Sequence, residues 1–273
     1  MKNYMTPAEK ESIVFSAVSP NQKYYHEVAE TAEYIQEMSV YDEELDSTYI
    51  IHITLPPDYD KNKSYPMYMM TDGIWRLSDH AELRPMMVNG EIEDIIMVSI
   101  GYNYGIDAEE IDIRLVEFVE KSDRFLDFIT NNLAPYLGEL YHIDNKRSAL
   151  MGHSLGGLFM YYAVFNHDKY KNSPFNYYVM ASPSFHITNN QWYWKYGNIE
   201  EKYFKRNKKF EKQVYLTAGD NEAYGYVPVI NNFVQRTKVY GVTTIDCKIY
   251  AGDHSSFVKQ MLRDSLLKFY GKG

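Results

Sequence analysis

Six short apolar runs recur along the chain, and they narrow the choice of fold more than any other feature. They are Pro66 to Thr71, Ile95 to Ile100, Ser148 to Met151, Tyr177 to Ala181, Val214 to Ala218 and Thr243 to Tyr250. Continuous apolar runs read as strands buried on both faces, the pattern of a parallel sheet. Between most of them the spacing turns helical. Phe125 to Tyr141 carries Phe125, Leu126, Ile129, Leu133, Leu137 and Leu140 at helical intervals, with Ser122 or Asp123 as its expected cap. Leu158 to Phe165, Val229 to Val239 and Phe257 to Phe269 also read as helices. Strands alternating with helices predict a doubly wound α/β sheet with right-handed crossovers. Ahead of them, Tyr34 to Val40 and Thr48 to Leu55 flank the polar turn Asp42 to Ser47. That is an antiparallel hairpin, ended by Pro56 and Pro57, which cannot donate to a ladder.

Composition excludes several alternatives. Aromatic residues at 16% rule out disorder as the main state. One cysteine, Cys247, rules out a disulfide scaffold and fits a reducing compartment. A net charge of −9 repels nucleic acid and anionic membranes, so neither is an expected partner. No apolar run is long enough to span a bilayer. Met1 to Lys10 has no apolar segment of the secretory kind, so the expected location is cytoplasmic. No low-complexity linker or fixed-period repeat divides the chain, so one domain over residues 1–273 is expected. Residues 1–31 are the least informative and are expected to wrap over the body.

The strongest chemical signal is Gly152-His153-Ser154-Leu155-Gly156-Gly157. It follows one expected strand and opens an expected helix, which is the context of a nucleophile elbow, G-x-S-x-G. A serine in a strained strand-to-helix turn needs neighbours with almost no side chain. The N–H groups that open the helix can then hold an oxyanion. The motif arises by chance in roughly one chain in twenty of this length, and the strand–turn–helix context makes it rarer still.

A nucleophilic serine needs a base and an acid. In the order Ser–acid–His, the base lies after the last strand. Of the histidines beyond Ser154, His167 lies at the end of the elbow helix and His186 comes too early. His254, in Gly252-Asp253-His254, directly follows the last strand. The acid belongs after the preceding strand, where Asp220 and Glu222 are both candidates. Either could instead serve as a cap or first-turn acid of the next helix. The second oxyanion donor belongs to the loop after Pro66 to Thr71. There the N–H of Ile74 is the expected donor, with Gly73 as the alternative and Leu155 as the elbow's own donor. The Met67, Met69 and Met70 cluster reads as core packing.

With these residues in place the chain resembles the α/β-hydrolase superfamily, and more narrowly the putative-esterase (esterase D-like, enterochelin esterase-like) family. The likeness runs from about Thr48 to Tyr270. It rests on Leu55 to Asp60, Asp72-Gly73, Val98 to Tyr102, Arg147 to Gly157, Ala181-Ser182-Pro183-Ser184, Gly219 to Glu222 and Gly252-Asp253-His254. The resemblance implies an α/β-hydrolase fold, Ser154 as nucleophile, His254 as base and Glu222 in preference to Asp220 as acid. The chain departs from the siderophore-esterase branch in two segments, Asp112-Ile113-Arg114-Leu115 and Trp192-Tyr193-Trp194.

The expected reaction is hydrolysis of a small-molecule carboxylic ester through an acyl-enzyme, with no cofactor and no metal. Siderophore, feruloyl and acetyl esters are all candidates. Trp75, Trp192 and Trp194 are expected to line an acyl or aryl pocket. An anionic catecholate would want local cations, for which Arg76 and Lys195 are available. Two other readings use the same fold: a thioesterase of the S-formylglutathione hydrolase kind, for which Cys247 is a poor match, and a binding module without turnover.

Overall fold

The computed structural model describes residues 13–16, 18–20, 34–102, 110–189 and 196–273. Among these residues, ten strands form one sheet. The first two, β1 (Ile13–Phe15) and β2 (Ser19–Pro20), pair antiparallel with β3 (Ile35–Asp42). This part of the N-terminal segment therefore extends the sheet at one edge, where sequence reading expected a wrap. Pro20 costs nothing there, because an edge strand has unpaired N–H positions in any case.

The expected hairpin is present. β3 and β4 (Ser47–Thr54) run antiparallel in register from Ile35 opposite Thr54 to Asp42 opposite Ser47. Asp42 stays buried at the turn, where its carboxylate accepts two hydrogen bonds from Arg124 at 2.8 Å.

The six apolar runs become β5 (Met67–Met70), β6 (Ile96–Tyr102), β7 (Ser148–His153), β8 (Phe175–Ala181), β9 (Gln213–Gly219) and β10 (Ile245–Tyr250). The sheet order is β1-β3-β4-β6-β5-β7-β8-β9-β10. From β6 onward every pairing is parallel, whereas β4 meets β6 antiparallel. The fold is thus a doubly wound, mostly parallel sheet with an N-terminal antiparallel hairpin. Its central strands are apolar on both faces because helices cover both. Met67, Met69 and Met70 are fully buried, as core packing requires.

The helices depart further from expectation. α1 (Gly73–Val88) was not legible in the sequence. Its buried face carries Arg76, Asp79 and His80, so the apolar periodicity that announces a helix is broken. Their polarity is met inside. Arg76 pairs with Asp79 at 2.7 Å, and His80 bonds Thr54 and Ser99 at 2.8 and 3.0 Å.

The expected helix Phe125 to Tyr141 is part of a longer helical stretch. It runs through α2 (Glu110–Leu115), a π-helical turn (Val116–Glu120), α3 (Ser122–Asp127), a second π-helical turn (Phe128–Leu133) and α4 (Ala134–Tyr141). Neither Ser122 nor Asp123 caps it. The chain enters already coiled, Lys121 holds the cap position, and no side chain bonds there. α5 (Leu155–Val164) follows the elbow, and then come α6 (Ile199–Arg206), α7 (Tyr226–Val239) and α8 (Val258–Tyr270). No helix among the described residues is long and apolar enough to cross a membrane.

Candidate active site

The candidate residues gather at the carboxyl ends of the parallel strands, where doubly wound sheets leave a crevice for ligands. β7 delivers Ser154, β8 delivers Ser182 and Ser184, β9 delivers Glu222 and β10 delivers His254.

Ser154 has φ 62° and ψ −116°, a strained conformation for a residue with a side chain. The surrounding glycines make the turn possible. A methyl group on Gly152 would lie 2.3 Å from the Gly156 carbonyl oxygen, and one on Gly157 would lie 2.4 Å from that of Ala181. The turn is also held on both sides by backbone bonds. Ser154 N–H donates to Ala181 O at 2.9 Å, and Ser184 N–H donates to Ser154 O at 3.1 Å. Leu155 opens α5, so its N–H lies among the helix-start donors that have no intrahelical acceptor.

Ile74 stands in the same situation at the start of α1. Before it, Asp72 adopts the left-handed conformation, φ 62° and ψ 47°. Gly73 follows against β6, where a methyl group would meet Gly101 N at 2.6 Å. Arg114 steadies this bend. Its Nε donates to Asp72 Oδ1 at 2.7 Å, and its Nη2 reaches Asp72 Oδ2 at 3.4 Å and the His153 carbonyl at 3.5 Å. One guanidinium therefore ties the α1 loop to the elbow.

The two candidate acids separate cleanly. Glu222 Oε2 accepts from His254 Nδ1 at 2.5 Å. Its other oxygen accepts from Ser182 Oγ at 2.5 Å and from Gly219 N–H at 2.6 Å. Burial alone would raise this carboxyl. The bonds from His254, Ser182 and Gly219 outweigh that and hold it below its ordinary value, so it stays ionised. Its side chain is 1% exposed, against 36% for His254. Asp220 is exposed and faces the other way, accepting from Gly252 N–H at 2.9 Å, so it braces the loop that carries His254.

His153 adds a support that sequence reading passed over. Its Nε2–H donates to the His254 carbonyl at 2.7 Å, and the two rings lie 4.6 Å apart. Burial, then the neighbouring His254, Arg76 and Arg114, pull its pKa down to about 3, which keeps it neutral. Ser182 and Ser184 were present only as a family segment, although their place at the end of the strand beside the elbow was a usable signal. His186 lines the same cleft as Ser154 and His254, its ring 5.7 Å from that of Tyr226, whereas the bond to Glu222 is made by His254. His167 bonds the Val164 carbonyl, away from the cleft.

Two cavities meet at Ser154 and His254. One, of about 390 Å³, takes in Trp75, Arg76, Arg114 and Lys259. The other, of about 440 Å³, is walled by Leu115, Leu155, Ile187 and Ala223, with Ser184 and Tyr226 among its polar groups. Trp75 lines the first of these cavities, with the Arg114 guanidinium 5.0 Å from its ring centre. Trp192, Trp194 and Lys195 lie outside the described residues. Among the described residues, no group of three or more His, Cys, Asp or Glu side chains is arranged to hold a metal ion.

Comparison with known proteins bears on the fold and the family. A segment of 65 residues is 38% identical to the ferri-bacillibactin esterase BesA of Bacillus subtilis (strain 168), covering 24% of this chain and 21% of that protein. The chain therefore matches only about a fifth of that relative's length. Among solved structures, the BES protein from Bacillus cereus superposes with a TM-score of 0.71 at 23% identity, covering 88% of this chain and 97% of that one. The siderophore hydrolase EstA from Aspergillus nidulans superposes with a TM-score of 0.68 at 19% identity, covering 86% and 93%. These likenesses place the chain in the α/β-hydrolase fold. The family model for the putative esterases matches residues 43–265, and the chain belongs to the putative-esterase family.

Proposed function

We propose that this protein hydrolyses carboxylic esters, with Ser154 as nucleophile, His254 as base and Glu222 as the acid that orients it. The observation that carries the reading is the bond from His254 Nδ1 to the buried, ionised Glu222, in a cleft shared with the strained Ser154. With Nδ1–H committed to Glu222, the imidazole presents an unprotonated Nε2. Ser154 Oγ attacks the ester carbonyl carbon as its proton passes to that nitrogen. The N–H groups of Leu155 and Ile74, or Gly73 in place of Ile74, hold the oxyanion. The tetrahedral intermediate collapses, the C–O bond to the alcohol breaks, and the alcohol leaves with the proton from His254. Water then attacks the acyl-enzyme, gives a proton to His254, and Ser154 departs with it. No cofactor or metal enters this sequence.

The narrower substrate class is a siderophore ester. BesA is a ferri-bacillibactin esterase and EstA a siderophore hydrolase. Against a net charge of −9, the first cavity carries Arg76, Arg114 and Lys259, which suits an anionic iron-binding ligand. Asp79, Asp72 and Glu82 pair Arg76, Arg114 and Lys259 respectively, so the field is moderate. Thiol chemistry draws no support from Cys247, whose half-buried thiol is pushed up by burial, away from the reactive thiolate.

The test is hydrolysis of p-nitrophenyl acetate by the wild type and by Ser154→Ala. Loss of the nucleophile lowers kcat by about 10⁴ to 10⁶. Turnover that survives the substitution overturns the assignment. A comparison of kcat/KM on an iron-loaded siderophore ester and on methyl ferulate tests the narrower class, which fails if the ferulate is the better substrate.

A further inference from the structure

The hydrogen bond made by Ser154 Oγ goes to a second serine. Ser184 Oγ lies 3.3 Å away, and Tyr226 OH backs it at 3.5 Å. Both side chains belong to the second cavity, whose apolar walls are Leu115, Leu155, Ile187 and Ala223 and whose other polar groups include Arg114 and His186. Ser184 is 3% exposed and Tyr226 8%, so the pair is a nearly dry polar feature at the base of that cavity. Ser184 is also held in place by its own N–H, which bonds the Ser154 carbonyl at 3.1 Å. Neither hydroxyl has a role in the reaction described above. They are not helix-start donors for an oxyanion, and the base is His254.

We propose that the Ser184–Tyr226 hydroxyl pair selects esters whose acyl carbon next to the carbonyl bears a hydrogen-bonding group, such as a hydroxyl or an amide N–H. The inference rests on Ser154 being the nucleophile. In the acyl-enzyme the carbonyl carbon is bonded to Ser154 Oγ. With each bond about 1.5 Å long, a substituent on the next carbon lies roughly 3 to 4 Å from that oxygen. A hydroxyl 3.3 Å from Ser154 Oγ is therefore within hydrogen-bond reach of that substituent when the acyl group lies on the Ser184 side of the nucleophile. An acyl group with only hydrocarbon there leaves Ser184 with Tyr226 OH as its polar neighbour and one hydrogen-bonding position unmet, which is costly for a buried hydroxyl. Discrimination of this kind exceeds what a purely apolar pocket achieves. Tyr226 OH stands 3.5 Å from Ser184 Oγ, and its ring is held against that of His254, with centres 5.1 Å apart.

The experiment compares two phenyl esters of almost equal size, the 2-hydroxypropanoate and the 2-methylpropanoate. For each protein, kcat/KM for the first is divided by kcat/KM for the second. Intrinsic reactivity cancels when that ratio is compared between wild type and variant. In Ser184→Ala the ratio falls about five- to tenfold, the loss of one neutral hydrogen bond to substrate. In Tyr226→Phe it falls about two- to threefold, and this variant decides if Ser184→Ala does not fold. The wild type also separates the two enantiomers of the hydroxy ester more strongly than Ser184→Ala does, a readout that loosened packing would not give. A ratio that stays within about twofold of wild type in both folded variants overturns the inference while the esterase reading stands. If the wild type turns over neither ester and Ser154 resists a fluorophosphonate, both readings fall.

Discussion

Replacing each candidate acid in turn gives the sharpest test of the site. Glu222→Ala removes a carboxylate that accepts from His254 at 2.5 Å, Ser182 at 2.5 Å and Gly219 N–H at 2.6 Å. The imidazole then has no partner at Nδ1, so either tautomer is available and the ring turns freely. Removing the acid of such a triad lowers kcat by about 10³ to 10⁴. That is about 4 to 5.5 kcal/mol of transition-state stabilisation at 1.36 kcal/mol per decade. Two donors are also left without an acceptor, which costs about 1 to 3 kcal/mol of stability each when buried. Asp220→Ala removes one bond to Gly252 N–H at an exposed site, and kcat falls less than tenfold. Both variants are assayed on p-nitrophenyl acetate under saturation, with thermal unfolding to confirm that they are folded. Glu222→Gln adds a stringent control. It keeps the volume but presents one oxygen where two were used, and kcat again falls at least a hundredfold. The reasoning is refuted if Asp220→Ala loses more activity than Glu222→Ala, or if Glu222→Gln keeps kcat within tenfold of wild type.

Two further outcomes follow from the packing. Gly152→Ala would press a methyl group to within 2.3 Å of the Gly156 carbonyl, both atoms being fixed by the strand and α5. It lowers stability by about 3 kcal/mol or more, measured by denaturant unfolding, and abolishes Ser154 labelling by a fluorophosphonate. Glu117 is buried and accepts from Tyr49 at 2.6 Å, and burial raises its pKa to about 8 from 4.5. Because the folded value lies above the unfolded one, its favourable contribution is complete below pH 4.5 and declines as pH rises towards 8. Wild type therefore loses melting temperature between pH 5 and pH 8 relative to Glu117→Gln. Parallel curves for the two proteins across that window contradict the assignment.

What could be read from the chain, and what could not, follows from how each element earns its burial. The parallel strands were legible because they are apolar on both faces, and Met67, Met69 and Met70 show this most clearly. The elbow was legible because its glycines answer a steric demand that lies within six residues of sequence. α1 was not legible, since it buries Arg76, Asp79 and His80 and satisfies them through β4 and β6, partners remote in sequence. The choice between Asp220 and Glu222 could not be made from spacing either. Both follow Gly219 in one loop, and what distinguishes them is the direction of the backbone. Asp220 N–H bonds Tyr250 O and its side chain caps Gly252, whereas Glu222 turns back beneath Gly219 towards His254. Supporting residues were hidden for the same reason. Ser182, Ser184 and His153 act through atoms brought together from the ends of β7, β8, β9 and β10, and no local pattern marks a serine or histidine for such a task. Residues that satisfy a local geometric demand leave a trace in sequence; residues that complete a hydrogen bond across the sheet leave almost none. The consequence for a site like this one is that the nucleophile is the easiest residue to find and its selectivity the hardest, because selectivity rests on those cross-strand hydroxyls.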